Sequence, residues 1–270
     1  MSELGKRITF GVIAAPVFMG VVWLGGWAFK AMILAIVVLI QLEITHMLRK
    51  AGFHVFMVHA FALSVLIFAT TITDLILPFL AVLFLWLISL VVLFPNVSRA
   101  FYGLMSTLFV GVYAPIGFLF LILMRDTMTD YTGFVLAFTL ILMVWGSDIF
   151  AYFIGKNFGK RLLAPNISPK KTWEGVIGGL IGALFALTLC WLALPDFPFE
   201  LVLMLPLALV VCIAGPFGDL FASRLKRAVD VKDSSALLPG HGGFFDRFDA
   251  MLAVMPAAYV YLFLIGIVGG

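Results

Sequence analysis

The stretch TGFVLAFTLILMVWGSDIFAYFIG, residues 132–155, contains a single charged residue, Asp148. About 20 consecutive apolar residues are enough to cross a bilayer as a helix, so this stretch predicts a membrane-spanning helix. A carboxylate inside such a helix is costly unless it faces a partner or a polar cavity. Asp148 is therefore a first candidate for a functional residue.

The whole chain has the same apolar character. Of its 270 residues, 64% are hydrophobic and 11% are charged, whereas a soluble domain is about 45–50% apolar and about 25% charged. A soluble fold of this size would leave too much apolar surface in water. The composition therefore predicts an all-α polytopic integral membrane protein.

Apolar runs predict about nine transmembrane helices, near residues 8–26, 28–47, 55–73, 75–94, 99–124, 132–155, 173–194, 201–226 and 246–268. The first run is interpreted as a retained helix, because no small-residue cleavage site separates it from the second. We divide the chain into an N-terminal transmembrane scaffold at 1–130, with about five helices, and a C-terminal catalytic half at 131–270. That half holds about four helices and the cytoplasmic loops.

The basic residues predict the orientation in the membrane. Of the 17 lysines and arginines, all but Lys30 and Arg125 fall in alternate loops that start with the N-terminal one. Cytoplasmic loops carry an excess of lysine and arginine. We therefore expect the N-terminus in the cytoplasm and the C-terminus outside, which requires an odd number of spans.

Three polar segments on the predicted cytoplasmic side carry candidate functional residues. In GDLFASRLKR, residues 218–227, helical spacing puts four of them on one stripe; these are Asp219, Ser223, Lys226 and Arg227. The alternative for this stripe is a structural Asp–Lys pair that closes the helix end.

The second segment is VKDSSALLPGHGGFFDRFDAM, residues 231–251. Pro239, Gly242 and Gly243 predict a turn, called the glycine turn below, whose backbone N–H groups can point at an anion. The helix that follows adds its positive end to the same spot. The candidates are Lys232, Asp233, His241, Gly242, Gly243, Asp246, Arg247 and Asp249. Helix capping is the alternative for the aspartates, because acids favour a first turn, but it leaves the neighbouring bases unexplained.

The third segment follows Asp148 and Tyr152, which share a helix face, and contains Ser168, Lys170, Lys171, Thr172 and Glu174. Ordinary helix-start residues or attraction to anionic lipid heads are alternatives for this loop. The glycines of 175–182 predict close helix packing. Glu43, in the second span, is expected to pair locally with His46, and the alternative is that it lines the polar cavity.

Together the three segments supply acids for a hard cation, bases for phosphates and glycines that allow close backbone approach. This combination indicates phosphoryl or nucleotidyl transfer at the cytoplasmic surface on a substrate that lies in the bilayer. A cation-coupled transporter is a rival hypothesis, but it predicts scattered acids in both halves and an inverted repeat. The early spans are nearly uncharged and no repeat is visible.

The stretch SRLKRAVDVKDSSALLPGHGGFFDRFD, residues 223–249, resembles the signature of the phosphatidate cytidylyltransferases, also called CDP-diacylglycerol synthases. Every fixed position of that pattern is matched, by Ser223, Lys226, Arg227, Lys232, Asp233, Pro239, His241, Gly242, Gly243, Asp246, Arg247 and Asp249. SPKKTWEG and SDIFAYFIGK are also similar to family features. One departure is Ala222, where the family often has glutamate.

The resemblance implies that CTP and phosphatidic acid give CDP-diacylglycerol and pyrophosphate, with Mg²⁺ and a second, monovalent cation as an option. It implies metal binding by Asp219 and Asp246, with Asp249 in reserve. Phosphates would be held by Lys226, Arg227, Lys232 and Arg247, and the glycine turn would cradle the triphosphate. The remaining predicted substrate contacts are Ser168, Lys170, Lys171, Thr172, Glu174, Ser223, Asp233, His241, Asp148 and Tyr152.

The expected partners are CTP, phosphatidic acid and membrane lipids, with no nucleic acid; a homodimer is left open. The expected location is the bacterial inner membrane with the active site facing the cytoplasm. A cytidylyltransferase that acts on another lipid phosphate is the nearest alternative.

Overall fold

A computed structural model describes residues 3–71, 83, 97–126, 128–238 and 242–269, with side chains from residue 11 in the first helix and from residue 101 in the fourth. The helices are α1 Glu3–Leu24, α2 Gly26–Lys50, α3 Met57–Ala69, α4 Val97–Asp126, α5 Asp130–Phe158, α6 Trp173–Ala193, α7 Leu201–Met204, α8 Pro206–Ala228 and α9 Phe245–Leu264. The strands are β1 Leu162–Ala164 and β2 Ser168–Thr172.

Six helical segments within the described ranges are long and apolar enough to cross a membrane: α2, α4, α5, α6, α7 with α8, and α9. Two shorter apolar helices, Gly11–Leu24 and Met57–Ala69, coincide with the first and third predicted spans. The predicted fourth span, 75–94, lies outside the described residues apart from residue 83. The fold is thus that of a polytopic membrane protein, and the count of nine stays a prediction.

A small β-hairpin corrects the prediction of an all-α chain. β1 and β2 pair antiparallel, with Leu162 opposite Thr172 and Ala164 opposite Ser168. The residue before a proline avoids the helical region, so Ser168, which precedes Pro169, is extended instead of starting a helix. The helix begins at Trp173, after Thr172 Oγ1 accepts a hydrogen bond of 3.1 Å from the backbone N–H of Gly175.

Glycines bring α5 and α6 into backbone contact, as the small-residue stripe at 175–182 predicts. A Cβ on Gly182 would lie 2.2 Å from the carbonyl oxygen of Gly146, and a Cβ on Gly178 would lie 2.8 Å from Cβ of Ile154. Small residues let helix backbones approach this closely in a membrane. The packing holds the face of α5 that carries Asp148 against the start of α6.

The buried side-chain amide of Gln41 joins helices α2, α3 and α4. Gln41 on α2 donates to Ser64 Oγ on α3 at 2.7 Å and to the Val110 carbonyl on α4 at 2.9 Å, and it is 0% exposed. The apolar core continues from these helices to α5 and α9, through residues such as Phe29, Phe118 and Phe245. This core fixes α2, and with it Glu43, relative to α9.

Both basic residues predicted for the opposite side of the membrane lie at one end of the bundle. Lys30 forms an ion pair of 2.8 Å with Asp126. Arg125 is 2% exposed and donates to the carbonyls of Val22 at 2.9 Å and Trp23 at 3.1 Å. These contacts close the turn between α1 and α2. The directions of α2, α4 and α5 put the hairpin at the other end.

Candidate active site

A cavity of about 660 Å³ lies between α5, α6, α8 and the hairpin. Its volume is in the usual range of about 300–1,000 Å³ for small-molecule sites. It brings the first and third polar segments together, because its walls include the predicted residues Asp148, Tyr152, Ser168, Lys170, Lys171, Thr172 and Asp219. Lys156, one helical turn beyond Tyr152, lines the same cavity and lies 5.8 Å from the centre of the Tyr152 ring.

An ion pair crosses this cavity from the hairpin to α8. The ammonium of Lys171 contacts the carboxylate of Asp219, and both side chains are about three-quarters buried. The sequence analysis considered a structural Asp–Lys pair within α8. In the structure, Asp219 of α8 instead pairs with Lys171 of β2. Asp148 and Arg247 lie within electrostatic reach of the same group, so acids and bases from four elements meet here.

A second carboxylate meets Asp219 at the interface of α8 and α9. The carboxylates of Asp219 and Asp249 lie close together, within electrostatic reach of each other. Their helices approach closely because Gly218 has no side chain: a Cβ there would lie 2.4 Å from the carbonyl oxygen of Asp249. Tyr113 of α4 lies near both acids and packs on the Phe221 ring at 5.0 Å between centroids. The sequence analysis missed Tyr113, for which no motif gave a signal.

Asp246 makes its contacts elsewhere. One carboxylate oxygen pairs with the Lys226 ammonium at 2.5 Å. The other accepts from the backbone N–H groups of Ser234 at 2.8 Å and Gly243 at 3.0 Å. The sequence analysis expected Asp219 and Asp246 to share a metal. In the structure both Asp246 oxygens accept hydrogen bonds from the chain, whereas Asp219 lies beside Asp249, and the shared metal stays a prediction.

Glu43 makes contacts that differ from the local pair expected from the sequence. It is 3% exposed, and its carboxylate accepts from the backbone N–H groups of Phe244 at 2.9 Å and Phe245 at 2.8 Å. It also accepts from Ser234 Oγ at 2.8 Å and Ser235 Oγ at 2.6 Å. The expected local pair with His46 is therefore wrong. The available signal was the rarity of an acid in the early spans.

The glycine turn makes contacts within the protein itself. Gly242 has φ of 77°, a region in which other residues are strained. A Cβ on Gly243 would lie 2.1 Å from Ser234 Oγ and 2.4 Å from Glu43 Oε2. Because the Gly243 N–H already donates to Asp246, the predicted phosphate cradle loses this donor. Pro239 and His241 lie outside the described residues.

Glu174 also has a role within the fold. Its carboxylate accepts from the backbone N–H groups of Lys160 at 3.0 Å and Arg161 at 3.2 Å. It therefore fixes the loop after α5 to the start of α6, and the predicted substrate contact of Glu174 stays a prediction. Thr172 likewise caps α6, although it also lines the cavity.

The other predicted residues lie around the C-terminal end of α8. The Arg227 guanidinium donates to the Val231 carbonyl at 2.9 Å. Lys232 and Asp233 are exposed and Ser223 is half-buried. Asp233 lines a separate cavity of about 400 Å³ that also borders Glu43. Ala222 is 0% exposed, so a glutamate at this position would need a buried partner.

The acid pair of Asp219 and Asp249 fits a hard cation. In the described ranges, no group of three or more His, Cys, Asp or Glu side chains is arranged to hold a metal ion. Mg²⁺, however, is usually held by one or two carboxylates together with substrate phosphates. Two acids close together beside a cavity with several bases provide the protein's share of that arrangement.

Comparison with known proteins identifies the family of the chain. A family model described as "Cytidylyltransferase family" matches residues 5–265. The chain is 45% identical over 135 residues to a phosphatidate cytidylyltransferase of Bacillus subtilis, covering 50% of each protein. It is 43% identical over 134 residues to one of Pseudomonas aeruginosa, covering 50% of this chain and 49% of the relative.

A phosphatidate cytidylyltransferase of Staphylococcus saprophyticus is 40% identical over 163 residues, covering 60% of this chain and 59% of the relative. The aligned parts thus span about half the length of the curated relatives. The family model, in contrast, extends over nearly all of the sequence and includes every element that lines the cavity. The chain therefore belongs to the cytidylyltransferase family.

Proposed function

We propose that the chain is a phosphatidate cytidylyltransferase, which converts CTP and phosphatidic acid into CDP-diacylglycerol and pyrophosphate. Family membership and the names of the relatives support a cytidylyl transfer. The single structural observation that carries the proposal is the cavity in which Lys171, Asp219 and Asp148 meet at one end of a membrane bundle. An apolar surround suits a lipid acceptor, and the charged wall suits phosphates.

The reaction needs positioning and charge neutralisation more than a strong base. An oxygen of the phosphatidic acid phosphate forms a bond to the α-phosphorus of CTP while the bond to the β-phosphate oxygen breaks, and pyrophosphate leaves with the electron pair. The attacking oxygen is already ionised at neutral pH. Bases that hold both substrates in line therefore supply most of the catalysis.

The bases of the cavity wall are assigned to the phosphates. Lys170 and Lys171 of the hairpin line the cavity, and Arg247 of α9 is added because it lies within electrostatic reach of Asp148. On substrate binding, the Lys171 ammonium exchanges the Asp219 carboxylate for a phosphate oxygen. Lys226 is instead paired with Asp246, and we assign this pair to fixing the position of the glycine turn.

Mg²⁺ is proposed to bind at Asp219 and Asp249, with phosphate oxygens as its other ligands. The two carboxylates lie close together, which is unfavourable unless a proton or a cation lies between them. When bound, the ion would neutralise phosphate charge. Asp246, the other predicted ligand, is retained as a neighbour that orders the turn, because its oxygens already accept from Lys226, Ser234 and Gly243.

For the topology, we propose nine spans with the N-terminus and the active site facing the cytoplasm, in the bacterial inner membrane. The basic loops support this orientation. The two remaining basic residues lie at the opposite end of the bundle, where Lys30 pairs with Asp126 and Arg125 donates to the Val22 carbonyl. Their position is consistent with this orientation.

The decisive experiment is turnover of labelled CTP by purified protein with Mg²⁺ and a panel of lipid acceptors. Phosphatidic acid should be the best acceptor, and pyrophosphate should appear in equal amount. Faster turnover with a polyprenyl phosphate or an ether-lipid phosphate would establish the alternative acceptor class. No cytidylyl transfer to any lipid phosphate would refute the proposal.

A further inference from the structure

We infer that Glu43 is a positioning residue of the catalytic centre, although it lies on α2, far from the sequence motifs. It acts on Asp246 and Lys226 through Ser234. The inference rests on the proposed function, since it concerns the rate of that same reaction. It assigns a task to a buried acid that the proposed mechanism does not use.

The surroundings of Glu43 are unusual for a buried charge. Its partners are two hydroxyls and two backbone N–H groups, all from the segment 234–245, and none of the four is a cation. The two N–H groups belong to Phe244 and Phe245, at the start of α9, where the helix end favours an anion. Glu43 thus anchors the whole segment between α8 and α9 to the scaffold.

Ser234 connects this anchor to Asp246. Its hydroxyl oxygen lies 2.8 Å from Glu43 Oε2 and 2.9 Å from Asp246 Oδ2. Its backbone N–H also donates to Asp246 Oδ2 at 2.8 Å, and Ser234 is 4% exposed. The other Asp246 oxygen then pairs with Lys226 of α8. One contact chain therefore runs from α2 through the loop and α9 to α8.

Helix capping alone does not account for this arrangement. Capping is satisfied by the N–H groups of Phe244 and Phe245, and it gives no reason for a hydroxyl placed between two carboxylates. The close fit of Gly243 against both Ser234 and Glu43 indicates that the turn is shaped around this contact. Asp246 therefore takes its position from Glu43 as well as from its own helix.

Two neighbouring serines provide a matched test. Ser234 and Ser235 both donate to Glu43, but the Asp246 contact belongs to Ser234. Hydrogen bonds to charged groups are stronger than those between neutral groups, so S234A should lower kcat by about tenfold or more. S235A should change kcat by less than about threefold, because Glu43 keeps three other donors. The KM for CTP should stay within about threefold in both variants, as expected when alignment in the transition state is lost.

E43Q should reproduce the kcat loss of S234A, because an amide cannot accept on both sides. The double variant E43Q/S234A should have a kcat only a little lower than that of S234A alone, because the effects of substitutions within one contact chain are not additive. Gln41→Leu is the control on the same helix: it removes a buried hydrogen-bonded group and should lower the melting temperature with little change in kcat. Equal loss of kcat in S234A and S235A would overturn the inference, as would losses that follow melting temperature across all variants.

A second readout is independent of turnover. Hydrogen exchange at the amides of Ser234 and Gly243, which donate to Asp246 rather than to Glu43, should become faster in E43Q. Unchanged exchange at both amides would show that Asp246 holds its position without Glu43. Failure of the unaltered protein to use CTP would refute the proposed function, whereas an active protein with an indifferent Glu43 would refute only this inference.

Discussion

Lys171 and Asp219, 48 residues apart in the chain, form an ion pair across the cavity. The pair joins β2, in the hairpin between α5 and α6, to the membrane-spanning helix α8. The sequence left two interpretations of the basic loop open, a phosphate site and a patch that attracts lipid heads. The inward contact of Lys171 favours the first, because a lipid-surface patch would point its ammonium groups away from the protein.

Arginine substitution in the hairpin should separate these interpretations. We expect Lys171→Arg to lower kcat/KM by about tenfold, or about 1.4 kcal/mol, because a planar guanidinium does not match the ammonium at Asp219 or at a phosphate. Lys160→Arg is the matched control: this side chain is exposed and lies outside the cavity wall. The measurement is CTP turnover in mixed micelles, and equal activity of both variants would favour the lipid-surface interpretation.

The three aspartates of the region should respond differently to asparagine. Asp219→Asn and Asp249→Asn should each lower kcat by about 10²-fold or more, a typical effect of losing an electrostatic contact in a catalytic centre. Both should also need more Mg²⁺ for half-maximal turnover. Asp246→Asn should lower kcat while the Mg²⁺ dependence of its residual activity stays normal, because its oxygens bind Lys226 and backbone N–H groups.

A Mg²⁺ titration of each variant beside the unaltered protein makes this comparison. If Asp246→Asn shifts the Mg²⁺ dependence and Asp249→Asn does not, the original assignment from the sequence is correct and the revised one is wrong. The thermal stability of each variant, measured without Mg²⁺, serves as the control for misfolding.

Gly218→Ala should disturb the contact between α8 and α9. Its new methyl group would meet the carbonyl oxygen of Asp249 at 2.4 Å, and overpacking of this kind costs about 1–3 kcal/mol. Gly215→Ala is the matched control one turn away, where the nearest atom would be 3.8 Å from the new carbon. Thermal unfolding in detergent and CTP turnover should both fall for Gly218→Ala. Normal behaviour of this variant would mean that the spacing of Asp219 and Asp249 is not set by the glycine.

Reporter fusions test the proposed topology. A fusion at residue 270 should report the outside and a fusion within residues 160–167 should report the cytoplasm, because an odd number of spans separates the N-terminus from the C-terminus. Reports from the same side for both fusions would contradict this span count. A fusion at residue 52, in the loop after α2, should report the cytoplasm and controls for reporter export.

Much of the candidate site was predictable because its residues are local in sequence. Asp219 and Lys171 each lie in a polar cluster beside an apolar run, and the positive-inside bias puts both clusters on one side. Helical spacing could not show that Asp219 would meet Asp249 instead of Asp246. That choice depends on the rotation of α8 against α9, which the close approach at Gly218 determines.

Other features depend on partners that are distant in sequence. Glu43 finds its partners 191 to 202 residues further along the chain, so periodicity gives no sign of them. Ser168 adopts a strand because it pairs with Ala164 across a short hairpin, a contact that competes with the helix-start pattern. The positions of the long apolar helices were predictable, since lipid imposes the same length on each of them.

The Arg125 contacts imply an order in which the bundle can be completed. The carbonyls of Val22 and Trp23, at the end of α1, accept from a guanidinium that follows Val22 by 103 residues. Polar backbone groups near the bilayer require a partner, and during synthesis the Arg125 guanidinium emerges only after four further predicted spans. The turn between α1 and α2 therefore lacks its hydrogen-bond donor while those segments are inserted. Arg125, at the end of α4, then supplies that donor and stabilises the turn.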